Sequence, residues 1–194
     1  INLIVAGKTL EPRWLTVELA EKELERGLMT WDFASDQNPD IVIAAIGDYL
    51  TKEALAAIDI VKSEAPEIKA RFVNILEISV LGLGNYECRA PSNGFEDYFS
   101  KDKPVIFNFH VYPQTLKQIL FVHGGDKNRF SVHGYIENGS TTTPFDMQVR
   151  NKTSRYHLAI EVFEKMAVAG VLDKGKSVSL INKYEKKLAD HCEY

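Results

Sequence analysis

The densest group of polar and reactive side chains lies at residues 133–147, which read HGYIENGSTTTPFDM. The end of this segment predicts a helix start, because Thr143 can cap a helix, Pro144 suits the first helical position, and Asp146 favours the positive end of the helix dipole. Three successive threonines ahead of a helix also offer hydroxyl and backbone N–H groups to an anion. Helix capping and an anion-binding or domain-contact role therefore both stay open for this segment.

A second candidate for chemistry is the pair Gly7-Lys8, which follows the apolar run INLIVA. A lysine that follows a glycine at a strand end can reach a phosphate as a point charge, and α/β folds bind ligands at the carboxyl ends of their strands. A solvated loop lysine is the competing interpretation of Lys8.

Other templates for catalysis, cofactors or metals are not met. Gly82 and Gly84 form a GxG, but Glu87 stands where a dinucleotide site needs its third glycine, and a Walker loop, GxSxG and HExxH are absent. The two cysteines, Cys88 and Cys192, and the five histidines show no metal-ligand spacing. The histidines are His110, His123, His133, His157 and His191. We therefore predict no catalytic, cofactor-binding or metal-binding residue within the chain.

Length and composition are those of an ordinary globular domain. The chain has 194 residues, of which 45% are hydrophobic and 26% charged, with a net charge of −4. Lysines and arginines are spread along the chain, which argues against a nucleic-acid partner. No apolar run reaches the roughly 18 to 20 residues of a membrane span, and no signal-like stretch opens the chain. We expect a cytoplasmic protein without a membrane partner.

Apolar β-branched runs alternate with stretches of helical period, which predicts crossover connections and a mostly parallel sheet. The predicted strands are residues 2–5, 41–46, 70–74, 105–109 and 129–132. The second and fourth of these are almost continuously apolar, so we expect helices on both faces of the sheet, in a three-layer α/β sandwich.

Four helices are predicted, each with one apolar stripe that we expect to pack on the core. The first covers residues 15–28, with Val17, Ala20, Leu24 and Leu28 on one face, and the others begin near Thr51, Ser154 and Ser177. Thr51 is the expected cap of the second helix. Residues 76–103 are predicted to be an irregular excursion between strands.

The chain divides at a polar stretch that contains Pro39. We predict that residues 1–38 are a leading segment or linker from a preceding domain and that residues 39–194 form the α/β domain. The sequence opens at Ile1, without Met and inside an apolar run. We therefore expect a domain cut from a larger enzyme.

Three blocks, DKPVIFNFHVYP, HGYIENGSTTTPFDM and NKTSRYHL, resemble in order and spacing the C-terminal domain of the xylulose 5-phosphate/fructose 6-phosphate phosphoketolases. The opening INLIVAGKTLEPRWL resembles the segment that leads into that domain, so the resemblance covers nearly the whole chain. It departs from the family pattern at Arg129, which stands where the family has an asparagine, and the family's aromatic C-terminal extension is missing after Tyr194.

The resemblance implies a fold similar to the transketolase C-terminal domain and a parent enzyme of three α/β domains. The first two domains of this parent enzyme hold thiamine diphosphate and a divalent metal, Mg²⁺, across a homodimer interface. The implied reaction is phosphorolytic cleavage of xylulose 5-phosphate or fructose 6-phosphate to acetyl phosphate and an aldose phosphate, in which the cofactor supplies the carbanion. This chain lacks the GDG-type cofactor motif of the family, so it is expected to be inactive on its own. Within the parent enzyme it is expected to have a structural and dimer-supporting role.

The resemblance also assigns one site residue. The family places a lysine at the end of the leading strand near the substrate phosphate, and Lys8 matches that position. Two alternatives remain: a stand-alone α/β binding or assembly module without catalysis, and transketolase-type transfer without phosphorolysis.

Overall fold

A computed structural model describes residues 9–82, 94–123, 127–136 and 142–192. Within these ranges the strands are β1 (Leu28–Thr30), β2 (Ile41–Ile46), β3 (Ala70–Ile75), β4 (Val105–Phe109) and β5 (Phe130–Gly134). The helices are α1 (Val17–Arg26), α2 (Asp48–Glu64), α3 (Gly94–Phe99), α4 (Pro113–Leu120), α5 (Pro144–Arg150), α6 (Arg155–Val168) and α7 (Lys174–Cys192). Short 3₁₀ turns occur at Asp32–Ala34, Ile78–Leu81, Phe121–His123 and Lys127–Arg129.

The five strands form one sheet in the order β1-β3-β2-β4-β5. Strands β3, β2, β4 and β5 run parallel, and β1 joins the β3 edge antiparallel. The predicted α/β fold with a mostly parallel sheet is confirmed.

Two cores flank the sheet, because alternate residues of each buried strand point to opposite faces. In β2, Ile41 and Ile43 pack with α2, α6 and α7, whereas Val42 and Ala44 pack with α3, α4 and the 3₁₀ turn at Ile78–Leu81. Every residue of β2 and β4 is buried. Helices therefore cover both faces, as the apolar runs predict.

The predicted strands at 41–46 and 105–109 have the bounds that the structure shows, and the other two described strands differ by one or two residues at their ends. The strand predicted at residues 2–5 lies outside the described residues. Helices α3 and α4 and strand β1 were not predicted. Among the described residues, no helix is both long and apolar enough to cross a bilayer.

The second helix begins earlier than predicted, at Asp48, directly after Gly47. Thr51 is not its cap. The Thr51 side chain is buried and donates a hydrogen bond to Asn74 Oδ1 at 3.0 Å. The fourth predicted helix also begins earlier, at Lys174, and the Ser177 hydroxyl donates to the Phe163 carbonyl at 3.0 Å.

The first helix ends at Arg26, where Gly27 takes a left-handed conformation with φ of 76°. For the helix itself, the expectation that the apolar stripe packs on the core is wrong, whereas Leu28, the last residue of the predicted stripe, is buried as part of β1. Val17 and Leu24 are 61% and 74% exposed, while Glu23 is buried. A carboxylate therefore faces the interior and the apolar side chains face outward.

Part of the predicted leading segment belongs to the sheet and core. Strand β1 pairs with β3, and Trp31 and Ala34 lie in the core beside α2. The boundary between residues 38 and 39 stays a prediction.

Candidate functional site

A cleft of about 220 Å³ opens at the carboxyl edge of the sheet. Strand β2 is followed by α2 on one face of the sheet, whereas β4 is followed by α4 on the other. The ends of these neighbouring strands therefore form a topological switch point, where open α/β sheets bind ligands. The lining residues come from separate elements and are Tyr49, His110, Tyr135, Thr142, Pro144, Met147 and Gln148.

Close approach of the strand ends shapes this cleft. Gly47 has φ of 107°, and a Cβ on it would lie 2.8 Å from the Cβ of His110. Only glycine adopts this conformation without strain and leaves room for the histidine. The His110 ring meets the Tyr135 ring edge to face, with centroids 5.0 Å apart. The His110 imidazole and the Tyr135 phenol therefore lie together in the lining of the cleft.

A buried polar network lies beneath the cleft. Gln148 is 3% exposed, and its side-chain oxygen accepts a hydrogen bond from the Thr153 hydroxyl. Asn108 Nδ2 donates to the carbonyls of Thr153 (3.1 Å) and Leu50 (3.2 Å). These bonds join α5, β4 and α2 and hold the cleft floor in one arrangement. The side-chain oxygen of Asn108 is buried and has no hydrogen-bond partner among the described residues.

The cleft meets the leading segment at Tyr49. The Thr9 and Tyr49 hydroxyls share a hydrogen bond, and Lys52 pairs with Glu11 at 2.9 Å. The first described residues therefore lie against the start of α2, beside the cleft. Lys8, the predicted phosphate ligand, lies outside the described residues.

The threonine block has a local structural role. Thr143 caps α5 and accepts a hydrogen bond from the Asp146 backbone N–H at 3.2 Å, with Pro144 in the first turn, as predicted. Bonding to Arg150 and Thr142 holds the pKa of the Asp146 carboxyl below its ordinary value, against a smaller opposing effect of desolvation. Thr142 also lines the cleft, and Thr141 lies outside the described residues.

The RYHL block binds α6 to α2. Arg155 donates to Glu53 Oε2 from its backbone N–H (2.8 Å) and from Nε (2.9 Å), and a second guanidinium nitrogen reaches Oε1. Glu53 is 2% exposed. The hydrogen bonds that Arg155 donates to Glu53 raise the pKa of Arg155 despite desolvation. The arginine of this block therefore neutralises a buried carboxylate.

His133, the histidine of the HGY block, likewise pairs with a carboxylate. His133 Nε2 bonds to the Glu161 carboxylate on α6, which also lies 3.4 Å from Lys165 Nζ. Burial acts to raise the pKa of Glu161, but hydrogen bonding from His133 and the nearby positive charges outweigh it and lower that pKa. The next residue, Gly134, is required by packing, since a Cβ there would lie 2.3 Å from Pro113 Cδ.

The structure brings His110 and Thr142 together in the cleft and places His133 and Asp146 in ion pairs outside its lining. Tyr49, Tyr135 and Gln148 were not singled out from the sequence. Tyr49 and Tyr135 could have been found from their position just after predicted strands. In the described part of the chain, no group of three or more His, Cys, Asp or Glu side chains could hold a metal ion.

A family model described as the XFP C-terminal domain matches residues 8–194. Proteins named probable phosphoketolase from Brucella abortus (strain 2308) and Clostridium acetobutylicum are each 40% identical over 200 residues, which cover 100% of this chain and 24% of each relative. Probable phosphoketolase 2 of Rhizobium meliloti is 39% identical over 204 residues, covering 100% of this chain and 25% of that protein. The chain thus spans about a quarter of the length of these relatives.

Solved transketolase structures share the fold. The enzyme from Leishmania mexicana superposes with a TM-score of 0.54 and 12% identity, over 74% of this chain and 18% of that one. The enzyme from Campylobacter jejuni gives a TM-score of 0.53 and 12% identity, over 73% and 19% of the two chains. At this identity the likeness concerns architecture alone.

Proposed function

The chain belongs to the family of phosphoketolase C-terminal domains, and we propose that the longer protein containing it cleaves a ketose phosphate with inorganic phosphate. The substrate would be xylulose 5-phosphate or fructose 6-phosphate, and the products acetyl phosphate and an aldose phosphate. The observation that carries this proposal is the family match over residues 8–194, joined to 40% identity with proteins named phosphoketolase.

In this proposal the 194 residues have a structural and dimer-supporting role, in a homodimer located in the cytoplasm. Thiamine diphosphate and Mg²⁺ would be held by the N-terminal and middle domains of the same polypeptide. The residues of this chain do not fit that cofactor, since the sequence has no GDG-type motif and the described side chains form no metal group. We therefore assign no chemical step to any residue here.

One contact with substrate is proposed, through Lys8. Its neighbour Thr9 shares a hydrogen bond with Tyr49, which lines the cleft. The described lining offers hydroxyl, imidazole and amide groups, which can hydrogen-bond phosphate oxygens. A lysine beside them would add the positive charge that binds a phosphate as an electrostatic anchor.

The reaction is tested with the longer protein, thiamine diphosphate and Mg²⁺. Acetyl phosphate should form from xylulose 5-phosphate only when inorganic phosphate is present. Transfer of a two-carbon unit to an aldose phosphate, without acetyl phosphate, would instead identify transketolase-type chemistry. A reading frame that starts at or near Ile1 would support the stand-alone module.

The lysine is tested by Lys8→Ala in the longer protein. Loss of one phosphate contact should raise the KM for sugar phosphate by about tenfold, equivalent to about 1.4 kcal/mol, with little change in the melting temperature. Lys101→Ala is the matched control, because Lys101 is exposed and precedes β4, at the amino edge of the sheet. Equal kinetics for the two variants would remove Lys8 from the site.

A further inference from the structure

Helix α1 presents its apolar side chains to solvent. Val17 and Leu24 are more than half exposed, and Trp14, just before the helix, is also exposed. Residues spaced by three or four positions lie on one side of a helix, so Val17, Ala20 and Leu24 share a side of α1, and Trp14 lines the same groove as these three residues. We call these four residues the α1 apolar face.

A side of α1 next to this face is fixed to the domain through Glu23. The Glu23 carboxylate accepts hydrogen bonds from Trp31 Nε1 and Asn74 Nδ2, each at 2.9 Å. Asn74 is held in turn by the Thr51 hydroxyl at 3.0 Å. Turning the α1 apolar face inward would break these buried bonds, so its outward direction is built into the domain.

The face borders a groove of about 430 Å³. Its lining includes the α1 apolar face and Trp31, which also belongs to the core. An exposed apolar groove rimmed by polar residues is a candidate surface for contact with another protein segment.

We propose that the α1 apolar face docks against an apolar surface on the preceding part of the same polypeptide. This rests on the proposed function, in which the chain is the C-terminal domain of a longer phosphoketolase. Relatives have about three quarters of their length outside the matched region, and a C-terminal domain follows that length. The α1 apolar face lies within residues 14–24, in the amino-terminal part of the domain that the proposed function assigns to this chain.

The size of the face favours an intramolecular partner over a second copy. A stable interface between separate proteins takes about 20–30 residues on each side, many more than this face supplies. A tether raises the effective concentration of the partner, so a smaller interface holds domains of one chain together.

Hydroxyl-radical footprinting of the full-length protein tests whether the face is covered. Leu24 should be oxidised severalfold more slowly than Val168, although both are largely exposed in the domain alone, at 74% and 89%. Trp14 should be protected with Leu24. Oxidation of Leu24 as fast as that of Val168 would overturn the proposal.

The double variant Val17→Glu/Leu24→Glu should restore rapid oxidation of Trp14 and expose residues 9–16 to protease. Its matched control is Val168→Glu/Val178→Glu, which changes two exposed valines on α6 and α7 and should leave Trp14 protected. Equal Trp14 oxidation in both double variants would contradict the assignment.

A photo-cross-linking residue in place of Leu24 identifies the partner, in protein mixed from two isotopically distinct preparations. Cross-links to the preceding part of the same chain support the proposal, and cross-links between two copies overturn it.

Acetyl phosphate formation by the unmodified protein is measured in the same preparation. If acetyl phosphate forms and Leu24 is unprotected, the docking proposal is refuted and the proposed reaction is supported. If Leu24 is protected and no acetyl phosphate forms, the proposed reaction alone fails.

Discussion

His157 packs at the start of α6 with its Nδ1 atom 2.8 Å from the Ser154 hydroxyl. Burial, with smaller effects from the positive charges of His133 and Lys152, lowers its pKa to about 4. The folded state therefore favours the neutral ring. The stabilising contribution of the neutral His157 ring is fully present above the unfolded-state pKa of about 6.5. It is lost as the pH falls toward 4, because His157 of the unfolded chain binds a proton at a higher pH than His157 of the folded protein does.

We predict that His157 makes the free energy of unfolding fall by about 1 kcal/mol between pH 6.5 and 5, after allowance for solvent screening. His157→Gln should remove this slope, because glutamine does not titrate. Urea unfolding at several pH values measures it. His110→Gln is the control, because His110 is exposed in the cleft. An unchanged slope in His157→Gln would show that other groups cause the pH dependence.

At the scale of elements, helices α2 and α6 are joined by the Glu53–Arg155 pair across 102 residues of sequence. The carboxylate is buried, so its charge is compensated by the guanidinium rather than by water. The Arg155 guanidinium also lies 5.4 Å from the centre of the Phe145 ring on α5. One arginine thus contacts two helices besides its own.

Arg155→Met should lower the free energy of unfolding by about 3 kcal/mol or more, because it leaves a buried carboxylate with the backbone N–H of residue 155 but without a compensating charge. Lys176→Met is the control, since it breaks the exposed Lys176–Glu67 pair and should cost less than about 1 kcal/mol. Chemical denaturation compares the two. Adding Glu53→Gln to Arg155→Met should recover part of the loss, and a similar cost for the two single variants would argue against a special role for the buried pair.

At the scale of the whole molecule, the described part of the chain folds as one sheet with a core on each face and a cleft at its carboxyl edge. Its matched relatives are about four times as long. Under the proposed function, the residues that carry the chemistry belong to the rest of the longer protein.

We predict that the isolated 194-residue chain gives no binding heat when titrated with thiamine diphosphate and Mg²⁺, because it lacks the family's cofactor-binding motif. Isothermal titration calorimetry measures this, with the longer protein as the positive control, where saturable binding is expected. Clear affinity in the isolated chain would show that the chain holds a cofactor site of its own.

The sequence by itself determined the features that depend on neighbouring residues. Nearly continuous apolar character predicts β2 and β4 to the residue, because strands covered on both faces consist mostly of apolar side chains, with Asn108 as the polar exception in β4. The Thr143-Pro144-Asp146 pattern predicts the start of α5, because a cap and the residues it bonds are three positions apart. The quoted blocks identify the family, since their order and spacing are properties of the chain alone.

Only the tertiary structure decided the features that depend on distant residues. Tyr49, His110 and Tyr135 meet in one cleft because three parallel strands end at the same edge of the sheet. The apolar stripe of α1 predicts an inward face, but Glu23 is turned inward by Asn74, which lies 51 residues away. Sequence periodicity reports which side chains share a side of a helix, and partners brought close by the folded chain decide which side is buried.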